Sequence, residues 1–328
     1  MGAPVRWGIL STAAINRKVI PAAKASSRIE LVAVASRDEP RAAAYAREWG
    51  IHRAYGSYES LLDDPDVEAV YISLPNSLHC EWAMHALDAG KHVLCEKPLS
   101  RHPDDVVAAF DAADRAGLLL SEAFMYRHNP QTKRLHELVA EGAIGELRLL
   151  RSTFSFRLDD DDDSIVVSPE LEGGALMDVG CYCVDAFRLL AGEPERVSAQ
   201  SWARPSGVDS VTAGTLRFGG DVIGVFDCGV ALTFRDELEA IGSEGSLFLD
   251  DPWLCVTPVL ELRREAGVER LEVERADSYR LELENMSVAI RGEGELLLGR
   301  DDAVGQARAL EALHRSATTG EVVSLNDG

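Results

Sequence analysis

The stretch His92-Val93-Leu94-Cys95-Glu96-Lys97-Pro98-Leu99 decides the fold of the first half of the chain. Its apolar run is typical of a strand buried in a parallel sheet, and it stops at a charged pair followed by proline. In doubly wound sheets ligands bind at the carboxyl ends of the strands, where proline fixes the backbone and removes a donor. Lys97 is therefore the first candidate functional residue, because its ammonium is a compact donor. A plain surface lysine at a strand end is the alternative.

A turn of small residues follows the first apolar run, Val5 to Leu10, and leads into a helix. A dinucleotide-binding turn needs glycine at three places, for the bend, for approach to pyrophosphate and for helix packing. Only Gly8 is a glycine, and Ser11 and Ala13 occupy the other two places. Small side chains still permit close approach, and N–H groups at a helix start can hold a phosphate. The residues expected to contact the cofactor here are Gly8, Ser11, Thr12, Ala13, Ala14 and Ile15.

The end of the second strand, Ile29 to Ala35, indicates which dinucleotide is bound. An acidic residue there would bind the 2′-hydroxyl of NAD, whereas an arginine favours the 2′-phosphate of NADP. Ser36 and Arg37 stand at this place and favour NADP, with NAD as the alternative. Asp38 lies two residues beyond the strand, where it is better placed as the N-cap of a helix from Glu39 to Trp49.

Strands and helices then alternate up to Glu122, with strands predicted at Arg53 to Tyr55, Ala69 to Ser73, Lys91 to Glu96 and Leu118 to Glu122. The loop Leu74-Pro75-Asn76 follows the fourth strand, and His79 begins the next helix. We expect these four residues to contact the cofactor, although His79 is equally suited to capping or packing the helix. The pattern predicts an α/β fold with an N-terminal Rossmann domain, a doubly wound parallel sheet, over residues 1–123.

The pattern changes after Ala123. Tyr126 and Arg127 lie in an aromatic and polar linker, where Arg127 is suited to hold a phosphate or a substrate oxygen, or is a surface charge at a domain joint. In the helix that follows Gly173-Gly174, Asp178, Tyr182 and Asp185 recur at steps of four and three and share one face. Tyr182 is a candidate for proton transfer, and Asp178 for binding a substrate hydroxyl. The alternative is a polar stripe that faces water.

Period-two runs dominate the rest of the chain and predict a mostly antiparallel open sheet. The runs are Ile144 to Phe156, Arg196 to Trp202, Ser210 to Phe218, Val222 to Leu232, Asp236 to Gly242 and Ser246 to Asp250, with candidate hairpin strands about Pro258 to Leu262 and Val268 to Val273. We expect an α+β substrate-binding and dimerisation domain over residues 124–328. One sheet face would pack on helices, and the other would form a homodimer. Asp159 to Asp163 is expected to be a solvated loop, since calcium loops space their acids.

The composition excludes several classes of function. Among 328 residues, 33 basic against 55 acidic side chains give a net charge of −22, which argues against a nucleic acid or an anionic membrane as partner. The hydrophobic fraction of 46% suits a globular protein, and we expect a cytoplasmic one without a membrane span. The six cysteines suit reduced core thiols, and their spacing predicts no metal site.

Five motifs together identify a family: Arg6 to Ala13, Ala33 to Arg37, Ala54 to Tyr58, Glu96-Lys97-Pro98 and Gly174 to Tyr182. With them the chain resembles the Gfo/Idh/MocA family of NAD(P)-dependent oxidoreductases, near its glucose-fructose oxidoreductase and dimeric dihydrodiol dehydrogenase branch. The resemblance implies that Lys97 is the catalytic lysine and that a cis peptide precedes Pro98. It also implies that Tyr182 stands where other branches carry an acid or base histidine. A homodimer or a dimer of dimers is expected.

These observations favour an enzyme that exchanges hydride between NADP, or NAD, and a secondary alcohol of a sugar, cyclitol or diol. Tyr182 would act as acid or base, with Lys97 as electrostatic helper and Asp178 as orienting group. Glu96, Lys97, Pro98 and Arg127 complete the expected cofactor contacts, and the expected substrate contacts are Lys97, Tyr126, Arg157, Asp178 and Tyr182. A dinucleotide-binding regulator without turnover and a nicotinamide-dependent glycosidase are the alternatives.

Overall fold

The computed structural model describes residues 2–158 and 164–325, so the acidic run Asp159 to Asp163 lies outside the described residues. The strands are β1 (Val5–Leu10), β2 (Ile29–Ala35), β3 (Arg53–Tyr55), β4 (Ala69–Ile72), β5 (His92–Glu96), β6 (Leu120–Ala123), β7 (Leu147–Arg157), β8 (Pro194–Ala203), β9 (Asp209–Phe218), β10 (Ile223–Gly229), β11 (Ala231–Gly242), β12 (Ser246–Leu249), β13 (Val259–Arg264), β14 (Gly267–Glu272) and β15 (Val323–Ser324). The helices are α1 (Asn16–Lys24), α2 (Glu39–Trp49), α3 (Tyr58–Leu62), α4 (His79–Asp88), α5 (Pro103–Ala116), α6 (Pro130–Ala140), α7 (Cys181–Ala191), α8 (Ser278–Ile290) and α9 (Arg300–Thr319). Within the described ranges, no helix combines the length and the apolar character needed to cross a bilayer.

The chain divides into two compact units. The first contains Met1–Met125 and Asp277–Val304, and the second contains Tyr126–Ala276 and Gly305–Gly328. The sequence-based boundary at 123/124 is close to the first division. The expectation that everything after residue 124 forms one further domain differs from this division, because Asp277–Val304 belongs with the first unit.

The first unit is built on a parallel sheet of strand order β3-β2-β1-β4-β5-β6. Its short apolar strands are buried because helices follow them, as the uninterrupted runs predict. β1 pairs with β2 on one side and with β4 on the other, so the strand order reverses between β1 and β4. This strand order confirms the predicted doubly wound fold. Ligands of open α/β sheets bind at such a switch point.

Helix caps explain why the elements of this unit begin where they do. Asp38 is the N-cap of α2, since its Oδ1 accepts a hydrogen bond of 2.7 Å from the N–H of Arg41. This contact confirms the capping role predicted for Asp38. Pro103 stands in the first turn of α5. Backbone N–H groups in this turn have no acceptor within the helix, so proline costs no hydrogen bond there.

The segment Asp277–Val304 joins the first unit because one side of α8 is apolar. Leu283 and Met286 are almost fully buried in the core that also contains Trp7 and Tyr71. The indole Nε1 of Trp7 donates a hydrogen bond of 3.1 Å to Oγ of Ser287. The helical periodicity of the sequence shows that α8 has an apolar side, but it does not show which unit covers that side.

The second unit contains a nine-stranded sheet of order β14-β13-β12-β11-β7-β10-β9-β8-β15. All its neighbouring strands are antiparallel except β10 and β7. β10 and β11 lie on opposite sides of β7, so the chain crosses β7 at Val230. The single strand predicted from Val222 to Leu232 is therefore wrong, and it is divided between β10 and β11.

Helix α7 covers one face of this sheet. Gly224 in β10 allows the approach, because a Cβ there would lie 2.6 Å from Cδ2 of Phe187 in α7. The flanking residues Ile223 and Val225 point to the opposite face and are 38% and 41% exposed. The predicted pattern of one covered face and one open face is therefore present in this unit.

Candidate active site

Lys97 directly follows β5, at the carboxyl end of the parallel sheet. Its backbone N–H donates a hydrogen bond of 3.3 Å to Oε2 of Glu96, and the hydroxyl of Tyr71 donates to Oε1 of the same carboxylate. The Lys97–Pro98 peptide is cis, as the family resemblance implied. Lys97 is half-buried, whereas Pro98 is buried.

Two further acidic groups surround Glu96 and are held neutral. Burial, followed by the charge of Glu96, raises the pKa of Glu282 in α8 well above its ordinary range. The same two causes raise the pKa of Tyr71. Both groups therefore stay neutral beside Glu96, which directly precedes Lys97 in the sequence. Sequence reasoning missed Glu282, which lies far along the chain in a helix assigned to the other domain.

The turn after β1 is organised by Ser11. Its φ of 120° lies in the region that favours glycine, and its side chain supports this conformation through hydrogen bonds. Oγ of Ser11 donates to the carbonyl of Ser73 at 2.8 Å and accepts from the N–H of Ala13 at 3.1 Å. Asn16 donates from Nδ2 to the Ser11 carbonyl at 3.0 Å. These contacts tie the ends of β1 and β4 together.

Gly8 is not part of this turn, which corrects the sequence-based assignment. It lies within β1, where a Cβ would approach Cδ2 of Leu61 to 2.7 Å. Its role is therefore close packing of the strand against α3. The spacing of the dinucleotide fingerprint falls instead on Ser11, Ala13 and Asn16. Among small residues in one sequence, no signal distinguishes the bend from the strand that precedes it.

The Ser11 turn has the properties that a cofactor pyrophosphate requires. In the part of the chain that the structure describes, the backbone N–H groups of Thr12, Ala14 and Ile15 donate no hydrogen bond within the protein. The first turn of α1 contains no acidic residue. Open N–H groups at a helix start bind anions, so the predicted contacts in this turn fit a dinucleotide.

Two arginines lie beside the end of β2, at the predicted position of the adenosine ribose. Arg37 is exposed, and the positive charges of Arg37 and Arg41 both act on the phenol of Tyr58. Burial nevertheless raises the pKa of Tyr58. Ser36 is buried, and its Oγ accepts from the N–H of Asp38 at 3.4 Å. The sequence-based reasoning found Arg37 but missed Arg41, one helical turn further on.

The loop after β4 contains Leu74, Pro75 and Asn76, and a short 3₁₀ turn begins at Asn76. His79 follows at the start of α4 and is 1% exposed. Both of its ring nitrogens lie 2.8 Å from backbone carbonyl oxygens, those of Pro98 and Leu74. These two contacts fit the alternative in which His79 packs the helix, and its contact with the cofactor stays a prediction.

In the second unit, one turn of π-helix, Leu176–Gly180, contains Asp178 and leads directly into α7. Tyr182 lies in the first turn of α7 and is 7% exposed. Every residue from Cys181 to Arg188 is buried. This excludes the alternative in which the polar stripe of α7 faces water. A π-helical turn inside a helix is frequent at functional sites.

Three aromatic rings pack around Tyr182. Phe154 meets the ring of Tyr182 edge to face at a centroid distance of 5.4 Å, and Tyr126 and Trp253 each lie at 5.8 Å. The indole Nε1 of Trp253 donates to the carbonyl of Thr153 at 3.2 Å. The cluster holds the Tyr182 ring in one orientation. Phe154 and Trp253 were not among the predicted site residues.

Asp185 anchors the linker that precedes α6. This fully buried carboxylate accepts from the hydroxyl of Tyr126 and from Nη1 of Arg127, the latter at 2.8 Å. Tyr126 is 1% exposed, and its contact with substrate stays a prediction. Arg127 is bound to Asp185 rather than placed as a free surface charge. Arg157 is exposed at the end of β7.

Asp236 in β11 contacts the backbone of the loop that carries Trp253. Its Oδ1 accepts from the backbone N–H of Trp253 at 3.3 Å. Burial, with a smaller contribution from Asp251, raises the pKa of Asp236 to about 8. A neutral carboxyl therefore supports the loop that carries Trp253.

The two units divide the predicted functions between them. The first unit carries the dinucleotide turn, the arginines at the end of β2 and Lys97, and the second carries Asp178 and Tyr182. Within the described residues, no three histidine, cysteine, aspartate or glutamate side chains cluster as metal ligands.

Comparisons with known proteins agree with this architecture. Residues 5–124 match the family model described as the NAD-binding Rossmann fold of the GFO_IDH_MocA oxidoreductase family, and residues 132–248 match the C-terminal domain model of the same family. D-xylose 1-dehydrogenase (NADP(+)) 2 of Haloferax volcanii is 42% identical over 98% of this chain and 99% of its own. Human trans-1,2-dihydrobenzene-1,2-diol dehydrogenase is 34% identical over 78% of this chain and 77% of its own.

Solved structures extend the likeness to three dimensions. The 3-ketoreductase KijD10 of Actinomadura kijaniata, in complex with NADP and TDP-benzene, superimposes with a TM-score of 0.90 at 30% identity, over 95% of this chain and 98% of its own. Aldose-aldose oxidoreductase of Caulobacter crescentus, complexed with glycerol, gives a TM-score of 0.91 at 26% identity, over 98% of this chain and 100% of its own. The chain belongs to the Gfo/Idh/MocA family of oxidoreductases, as the motifs around Lys97 and Tyr182 predicted.

Proposed function

We propose that the protein is an NADP-dependent dehydrogenase or reductase that acts on a secondary alcohol or carbonyl of a sugar, cyclitol or trans-diol. The observation that carries the proposal is the environment of Tyr182, a phenol held by three aromatic rings in the first turn of α7. The names of the relatives support the substrate class, since they include a xylose dehydrogenase and a dihydrodiol dehydrogenase.

Tyr182 takes or returns the proton of the substrate hydroxyl. A free phenol titrates near pH 10 and is a weak base at neutral pH, but an ammonium within hydrogen-bond reach stabilises the phenolate. Lys97 supplies this ammonium in the proposed mechanism, and it also stabilises negative charge on the substrate oxygen. Asp178, one turn before Tyr182, orients the substrate hydroxyls. The bound nicotinamide supplies the hydride chemistry.

NADP is proposed over NAD because of the charge at the end of β2. Arg37 and Arg41 both approach the phenol of Tyr58, so two guanidinium groups are available to a 2′-phosphate. A relative named for NADP and a solved structure in complex with NADP support this preference.

The test is a panel of sugars, inositols and trans-diols assayed with NADP and NAD in parallel at 340 nm. Lys97→Met and Tyr182→Phe are expected to lower turnover by about 10² to 10⁴-fold without a change in the unfolding temperature. Lys133→Met, at an exposed lysine, is the matched control and is expected to retain the wild-type rate. A near-normal rate of the Lys97→Met enzyme would contradict the proposed mechanism.

Two alternatives are separated by the same panel. A regulator without turnover would bind NADP while no substrate changes the absorbance. A glycosidase that uses nicotinamide transiently would release sugar from an aryl glycoside without accumulation of reduced cofactor.

We also propose a homodimer formed through the open face of the nine-stranded sheet. Ile223, Val225 and Phe234 are exposed on the second unit, and Arg235 pairs with Asp227 on the same face. A face that carries apolar side chains and both signs of charge is complementary to its own copy. Sedimentation equilibrium at micromolar concentration is expected to give twice the mass of the chain, and Val225→Glu is expected to give a monomer. A wild-type monomer would remove the proposal.

A further inference from the structure

The peptide group between Pro98 and Leu99 is held from both of its polar ends. Its carbonyl oxygen lies 2.8 Å from Nδ1 of His79 in α4. Its N–H donates a hydrogen bond of 2.7 Å to Oε1 of Glu122 in β6. These side chains come from two different elements of the first unit, and they meet on the peptide that follows the Lys97–Pro98 bond.

The second contact of His79 determines what the ring must be. Nε2 lies 2.8 Å from the carbonyl oxygen of Leu74, so both ring nitrogens face carbonyl oxygens. Carbonyl oxygens only accept hydrogen bonds, and a neutral imidazole has a single N–H to donate. Either neutral tautomer would direct a nitrogen lone pair at an oxygen 2.8 Å away. The imidazolium, with two N–H groups, satisfies both contacts.

The charge that this state buries is balanced nearby. His79 is 1% exposed and Glu122 is 2% exposed, so neither charge is solvated by bulk water. A buried charge is tolerated when it is paired and hydrogen-bonded. The carbonyl end of the peptide dipole faces the cation, and the N–H end faces the carboxylate. The start of the α4 dipole opposes a cation, but two charge-assisted hydrogen bonds outweigh it.

Two thiols lie close to this clamp. Burial raises the pKa of Cys95 in β5 well above its ordinary range, so this thiol is neutral. Cys80, next to His79 in α4, donates from Sγ to the Leu99 carbonyl at 3.5 Å. The charged or titratable groups on the adjoining segments include Glu96 and Lys97, which precede Pro98, and Arg101 and His102, which follow Leu99.

We propose that His79 is a permanently protonated positioning residue and that His79 and Glu122 form an ion pair bridged by the Pro98–Leu99 peptide. The clamp fixes the backbone that follows Lys97 to the loop that follows β4. It thereby determines the direction in which the Lys97 ammonium leaves the sheet. The positioning role rests on the proposed function of Lys97, whereas the protonation of His79 does not.

The protonation state is tested on the wild-type protein by nitrogen NMR of the histidine rings, with Nδ1 and Nε2 assigned by through-bond correlations. We expect both nitrogens of His79 to have the chemical shifts of a protonated ring from pH 6 to pH 9. Hydrogen-bond couplings to two backbone carbonyls are expected with them. The shifts of a neutral ring at pH 7.5, with one protonated and one bare nitrogen, would overturn the proposal. This measurement needs no variant to fold.

The positioning role is tested by kinetics with the best substrate of the panel. His79→Gln and Glu122→Gln are each expected to lower kcat by about 10 to 100-fold, since small displacements of a reacting group are costly. KM for the cofactor is expected to change less than about threefold, because the Ser11 turn is untouched. The double variant is expected to be no slower than the slower single variant, since one clamp is lost in all three.

His85→Gln, at an exposed position of the same helix, is the matched control and is expected to leave kcat unchanged. Fully multiplicative losses in the double variant, or a wild-type kcat for His79→Gln, would overturn the clamp. If Lys97→Met is active, the proposed function fails while the NMR result stands. If Lys97→Met is inactive and His79→Gln is not, the positioning role alone fails.

Discussion

Replacing Asp236 with asparagine is expected to change how the stability of the protein depends on pH. The Asp236 carboxyl is 4% exposed, and burial raises its pKa from 3.8 to about 8. Asparagine retains an oxygen that accepts from the N–H of Trp253 and removes the ionisable proton. Each pH unit between the two pKa values converts to about 1.4 kcal/mol, so the wild-type protein loses at most about 4 kcal/mol between pH 4 and pH 7.

The sign of this effect is opposite to that of an ordinary salt-bridged aspartate. The folded protein keeps the Asp236 proton up to about pH 8, whereas the unfolded chain releases it near pH 4. The folded state therefore binds more protons in this window, and the free energy of unfolding falls as the pH rises. The stabilisation from the bound proton is fully present below pH 4 and lost as the pH rises through about 8.

Urea denaturation at pH 4, 5.5, 7 and 8 measures this difference directly. The free energy of unfolding of Asp236→Asn minus that of the wild type is expected to increase steadily from pH 4 to pH 8. Glu237→Gln, at the exposed neighbouring position of β11, is the control and should give a difference that does not change with pH. Parallel pH curves for Asp236→Asn and the wild type would refute a neutral Asp236 in the folded protein.

Three further predictions concern charge and packing. Arg37→Ala should raise the Kd for NADP by about 10 to 100-fold and that for NAD by less than about twofold, measured by fluorescence titration with Arg47→Ala as control; equal losses would remove the phosphate-binding role. Asp185→Asn should lower the free energy of unfolding by about 3 kcal/mol, because it leaves the largely buried Arg127 guanidinium without its carboxylate; an unchanged urea midpoint would contradict this. Gly224→Ala should cost about 1 to 3 kcal/mol, since its Cβ would meet Phe187, and a stabilised variant would show that α7 moves away freely.

The parallel half of the fold could be predicted from the sequence almost residue by residue. Its strands are short apolar runs bounded by caps and turns, and β1, β2 and β3 have the predicted bounds. Contacts between distant segments could not be predicted, because local sequence patterns do not show which segments pair. The break of the strand at Val230 follows from the pairing of β10 and β11 on opposite sides of β7, which no local pattern expresses.

The candidate site shows the same division between local pattern and tertiary contact. Lys97, Ser11, Arg37 and Tyr182 could be identified because each stands at the end of an element with a recognisable signal. The partners that hold such residues could not be identified. Glu282 and Trp253 lie in segments without a motif. Asn16 and Asp185 lie in recognisable segments, but the contacts that make them important are tertiary and no local pattern expresses them.

The discontinuity of the first unit has a consequence for biosynthesis. Leu283 and Met286 complete its core, yet they emerge from the ribosome only after Tyr126–Ala276 has been translated. During translation, the apolar surface that α8 covers in the first unit therefore stays exposed until the nine-stranded sheet has been synthesised. A gene fragment that stops after Met125 would encode a protein that lacks part of its interior, and such a fragment needs α8 supplied in trans to become stable.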